Sequence, residues 1–74
     1  MRYLLIMAEH DRIIVDPNEM LGKPFIRGTR IPVELILRKL GEGATESDLK
    51  AAYPRLTPDD IRAAMAYAAE AISH

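Results

Sequence analysis

The sequence predicts a mainly α fold: three helices in helix-turn-helix order behind a small N-terminal β element. Three observations carry that expectation. Thr45 to Asp48 and Thr57 to Asp60 are two Thr-x-x-Asp starts, each opening an apolar-periodic segment. Val33, Ile36, Leu37 and Leu40 recur at i, i+3, i+4 and i+7, one face of a helix. Arg12 to Val15 is a β-branched run stopped by Asp16-Pro17-Asn18, the pattern of a strand and its turn.

Taken in order, Tyr3 to Met7 is a continuous apolar run, a buried strand or the start of a helix. A hairpin between it and Arg12 to Val15 would be marginal in water and would need a surface to pack on, or a dimer edge to pair across. Residues 22 to 33 follow, Gly-Lys-Pro-Phe-Ile-Arg-Gly-Thr-Arg-Ile-Pro-Val. Gly22 and Gly28 suit sharp turns, Pro24 and Pro32 fix φ, and Phe25-Ile26 reads as a short extended piece. Lys23, Arg27 and Arg30 make the stretch a stiff basic turn between an extended half, residues 1–31, and a helical half, residues 32–74. The two halves are expected to form one compact domain.

The first helix runs from Pro32, in its first turn, to a stop at Gly41 or Gly43. Glu34 lies early and Arg38 and Lys39 lie late in it, as the helix dipole favours. A short helix starts at Thr45 and ends before Pro54. The third has Thr57 as N-cap, Pro58 after it and Asp60 at N3, with Leu56 and Ile61 placed as a hydrophobic staple. Ile61, Ala64, Met65, Ala68 and Ile72 are its expected buried face. The expected core comprises Ile36, Leu37, Leu40, Leu49, Leu56, Ile61, Met65 and Ala68.

Length and composition bound the function. Seventy-four residues without cysteine build one small domain, with no disulfide or thiolate metal site to reinforce it. A homo-oligomer, most simply a dimer, or an obligate partner is therefore expected. The net charge is −1, unevenly spread. Residues 23–39 carry five cations against one acid, a net +4, and residues 40–74 carry three cations against six acids, a net −3. The apolar Tyr3 to Ala8 run is too short for a membrane span and lacks a cleavage pattern. The expected location is the cytoplasm, with no membrane association.

Catalysis finds no support. His10 beside Asp11 reads as a turn residue, His74 is the last residue, and Asp59-Asp60 is explained by capping. Gly22-Lys23 lacks the remainder of a phosphate loop, and no nucleophile elbow is present. No enzyme, cofactor or metal is expected. A short helix, a four-residue turn and a longer helix form the helix-turn-helix order, whose third helix would present Asp59, Asp60, Arg62 and Ala63 to base edges. Two acids suit a phosphate surface badly. Any nucleic-acid contact is therefore assigned to Arg38, Lys39, Arg55 and Arg62.

Ile13-Ile-Val-Asp-Pro17, the 22–33 stretch, Leu40-Gly-Glu-Gly43, Ala52-Tyr-Pro54, Leu56-Thr57, Asp60-Ile61 and Ala64 together resemble domain-of-unknown-function family 433. The resemblance covers residues 12 to about 69. It implies a homeodomain-like helix-turn-helix behind a small β element. It also implies an antitoxin of a toxin–antitoxin pair, akin to VapB-type antitoxins that accompany PIN-like ribonucleases. Promoter DNA is added to this reading as a second, weak partner. PIN-like nucleases hold metal with clustered carboxylates, which an arginine on a stiff loop would neutralise. Arg30 is the expected contact, with Thr29 in the same loop and Arg27 and Lys23 as secondary contacts. An intrachain pair between Arg30 and an acid such as Asp16 is the competing role. A DNA-binding regulator without a toxin, and a protein-interaction module that binds no nucleic acid, stay open as alternatives.

Overall fold

The computed structural model describes residues 11–73. Tyr3 to Met7, expected in a hairpin or at a dimer edge, lies outside the described residues, as do His10 and His74. Among the described residues, no helix is long and apolar enough to cross a membrane. Within residues 11–73 the fold is mainly helical, with three α-helices and a two-stranded antiparallel sheet.

Strand β1, Ile13–Ile14, pairs with β2, Phe25–Ile26, with Ile13 opposite Ile26 and Ile14 opposite Phe25. The described partner of the first strand is therefore the extended piece of the central stretch. Between the strands the chain turns through Met20–Gly22, where Met20, Leu21 and Gly22 have φ of 52°, 56° and 79°. Left-handed backbone at Met20 and Leu21 is costly for residues with a Cβ, and nothing in their side chains announces it.

After β2, a second turn reverses the chain. Thr29 N–H donates to the Ile26 carbonyl at 3.1 Å, and Ile26 N–H donates to the Ile31 carbonyl at 3.0 Å. Gly28, with φ of 78°, takes the turn position that excludes a Cβ-bearing residue without strain. The Thr29 hydroxyl completes the turn: it donates to the Ile26 carbonyl at 2.8 Å and accepts from Ile31 N–H at 3.0 Å.

Helix α1 spans Val33–Gly41, with Pro32 as its N-cap one residue outside the first turn. Pro32 has no side-chain acceptor, but the first helical amide is satisfied elsewhere: Val33 N–H reaches the Pro24 carbonyl at 2.9 Å. Helix α2, Glu46–Ala52, and helix α3, Pro58–Ile72, both begin with reciprocal capping boxes, Thr45 with Asp48 and Thr57 with Asp60.

Helix α3 packs on α1 and on β1. The buried cluster joins Ile13 and Ile26 to Val33, Ile36, Leu49, Leu56, Ile61, Ala63 and Ala64, with Leu37, Leu40, Tyr53 and Tyr67 packed against it. The sheet therefore contributes to a core expected from the helices alone. Two residues of the expected buried face of α3 lie outside the core. Met65 is 44% exposed, and Ile72, expected on the same face, is 80% exposed. Ala68 is half-buried at the margin. The inward face of α3 keeps Ile61 and Ala64, as expected, and adds Asp60 and Ala63. Short alanine side chains let this helix approach the sheet and α1 closely, which turns the longer Met65 outward.

Candidate partner-binding groove

The fold distributes the basic residues over three surfaces. Lys23 pairs with Glu34 of α1 at 2.9 Å, beside an apolar groove of about 360 Å³ that includes Leu37, Tyr67 and Ile72. The Lys23 ammonium, by hydrogen bond and charge, holds the Glu34 carboxyl below its ordinary pKa, with Arg38 adding a smaller effect. Arg27 faces a second groove with Arg12 and Arg62 and donates from Nε to the Asp11 carbonyl at 2.8 Å. Lys23 and Arg27 are thereby separated from Arg30, with which they had been grouped.

The second groove contains the exposed start of α3, and its charges are already paired. Asp59 accepts from Arg62 and lies 3.4 Å from Arg12 Nη2. Arg12 Nη1 also meets Asp60 at 3.1 Å. Asp60 is 6% exposed and Ala63 5%, so two of the four expected base readers face inward. The carboxylate of Asp60 is occupied by Arg12 and by Thr57 N–H at 3.0 Å. The tip of α3 is thus a neutralised, structural surface.

The third surface is a groove of about 710 Å³ between the Gly28–Ile31 loop and the Tyr53–Arg55 turn after α2. Phe25, Ile31, Tyr53 and Pro54 supply apolar lining, and Arg30 and Arg55 supply charge. The walls are tied together: Arg55 Nη1 donates to the Gly28 carbonyl at 2.9 Å. Arg55, assigned from sequence to nucleic acid, is brought beside Arg30 by this bond. Thr29 also lines the groove, but its hydroxyl is committed to the turn.

Arg30 is the most available of these cations. Its side chain is 74% exposed and, among the described residues, the acid it pairs with is Glu19, at 3.9 Å, rather than Asp16. That distance exceeds a hydrogen bond, and exposed pairs of this kind contribute little to stability. Arg38 is exposed and Lys39 half-buried on α1, and neither lines this groove. Among the described residues, no group of histidines and carboxylates is arranged to hold a metal.

The sequence marks Arg30 as a loop cation but does not associate it with Tyr53, Pro54 and Arg55. The signal was present in the short interval between Ala52 and Thr57, which places an aromatic, a proline and a cation in one exposed turn.

A protein family described as of unknown function, DUF433, matches residues 13–68. An uncharacterised protein of Archaeoglobus fulgidus is 54% identical over 28 residues, which are 38% of this chain and 78% of that protein. The crystal structure of a DUF433 member from Anabaena variabilis, at 2.00 Å resolution, superimposes with a TM-score of 0.77 and 32% identity. The similarity covers 93% of this chain and 68% of that one.

Proposed function

The chain belongs to the DUF433 family, and from that premise we propose that it is an antitoxin that binds and neutralises a PIN-like ribonuclease. It acts by binding and catalyses nothing itself. The observation that supports this reading is Arg30: a 74%-exposed guanidinium on a loop closed by four hydrogen bonds, at the rim of an apolar groove. The carboxylates of a metal-dependent nuclease repel one another when metal is absent, and a guanidinium that bridges them relieves that repulsion. A preformed loop lowers the ordering cost of association.

Promoter binding is the second task in this reading, supported by the order α2, turn, α3. The paired charges at the start of α3 move the phosphate contacts to Arg38 and Lys39, where they would be few and strongly salt-dependent. A two-fold dimer completes the proposal, since a chain of 74 residues buries a limited core.

Co-expression with the product of the adjacent reading frame tests the reading. A stable complex, and loss of that partner's ribonuclease activity on adding this protein, are the expected results. A partner that keeps full activity at saturating protein overturns the antitoxin role.

A further inference from the structure

We propose that the groove between the Gly28–Ile31 loop and the Tyr53–Arg55 turn receives an extended acidic segment of a partner protein, anchored by Arg30 and Arg55, with Glu19 as the internal carboxylate it displaces. This deepens the reading above and rests on its premise that the groove meets a protein; it adds the chemistry of what enters and a second anchor.

Three observations carry it. First, the two guanidiniums reach the same groove from different elements, Arg30 from the loop and Arg55 from the turn after α2. The bond from Arg55 Nη1 to the Gly28 carbonyl orients its fork and leaves other N–H groups to meet a carboxylate. Second, the space between them is apolar, with Phe25 buried and Ile31 and Tyr53 half-buried. That lining takes side chains and excludes water from the charged contacts, which strengthens them.

Third, Glu19 already shows the ligand chemistry the groove accepts. Its carboxylate stands 3.9 Å from Arg30, close enough to attract it and too far to hydrogen-bond. The backbone fixes it there: Glu19 N–H donates to the Asp16 carbonyl at 2.9 Å, and the Glu19 carbonyl accepts from Gly22 N–H at 2.9 Å. The left-handed residues Met20 and Leu21 lie within that same turn. Glu19 therefore occupies Arg30 loosely without closing on it, and a partner carboxylate at hydrogen-bond distance replaces it. A nucleic acid fits less well. The groove offers two cations and one acid over an apolar floor, whereas phosphate binding draws its strength from several neutralised phosphates.

Titration of the full chain with a short capped peptide of alternating leucine and aspartate tests this at low salt. Its leucine–asparagine analogue and a single-stranded RNA of similar length are the comparisons. The aspartate peptide is expected to bind about tenfold or more tighter than the asparagine peptide, with the difference shrinking as salt rises. Arg55→Lys keeps a donor for the Gly28 carbonyl but loses the fork, and weakens peptide binding by about threefold or more. Arg30→Ala weakens it further, and Glu19→Gln tightens it by about twofold or more. Thermal melts accompany each variant. If Arg55→Lys melts early, the exposed Arg30 and Glu19 variants decide the matter. Equal affinity for the two peptides, tighter binding of RNA, or weakening by Glu19→Gln would each overturn the proposal. Peptide binding without neutralisation of the nuclease overturns only the antitoxin reading. Neutralisation without peptide selectivity overturns only this one.

Discussion

Ile36→Ala and Met65→Ala together measure which face of α3 the core uses. Ile36 is fully buried, at 0% exposure, on the α1 face that meets α3. Truncation to alanine removes three carbons, about 2.4 kcal/mol of transfer free energy at ~0.8 kcal/mol per methylene. A partly collapsed cavity raises the cost to ~2–5 kcal/mol. A domain of this size has roughly 4–11 kcal/mol in all, so the variant stands near the edge of folding. Met65 is 44% exposed and its loss should cost less than about 1 kcal/mol. Leu40, half-buried against the core, falls between them at ~2 kcal/mol. Urea unfolding followed by circular dichroism gives all three values, provided the slope with denaturant stays constant. A cost above about 2 kcal/mol for Met65→Ala, with less than 1 for Ile36→Ala, would refute the packing described.

Three further outcomes follow from local geometry. Leu21→Asn should raise stability by up to ~1 kcal/mol in the same unfolding assay, because asparagine tolerates the φ of 56° better and Leu21 is 93% exposed; a loss would mean that Leu21 makes a stabilising contact. Asp60→Ala should cost ~2–3 kcal/mol, since the Asp60 half of the α3 capping box and the buried end of the Arg12 pair are lost together, while Asp59→Ala should cost well under half of that. Glu34 binds its proton more weakly folded than unfolded, so its contribution is present above its ordinary pKa and fades as pH falls through the lowered folded value. In an NMR titration, Lys23→Ala should move the Glu34 midpoint back up towards that ordinary value, and an unmoved midpoint would remove Lys23 as the cause.

Helix starts were legible because capping is local: Thr45 with Asp48 and Thr57 with Asp60 need only their own three-residue spacing. The phase of α3 was not. Ile61, Ala63, Ala64, Met65, Ala66, Tyr67 and Ala68 surround much of the helix with apolar groups, so periodicity alone leaves its inward face undecided. Close approach to α1 and β1 selects the alanine face. The strand pair joins Ile13 to Ile26, and no local signal fixes such a partner. Met20 and Leu21 adopt left-handed backbone ahead of Gly22, where only the glycine was a cue.

The site divided along the same line. Lys23, Arg27 and Arg30 are close in sequence, but the reversing loop sends them to three surfaces. Arg55 joins Arg30 only because folding carries the Tyr53–Arg55 turn to the Gly28 carbonyl.

The central claim is that Arg30 serves a partner and not the fold. Arg30→Ala, measured for both inhibition of the proposed PIN-like partner and thermal unfolding, tests it most directly. The account predicts a loss of affinity on the order of a hundredfold or more, as for a buried interfacial charge contact, with a melting temperature close to that of the parent chain. Unchanged inhibition, or a fall in melting temperature large enough to explain the lost inhibition, would contradict it.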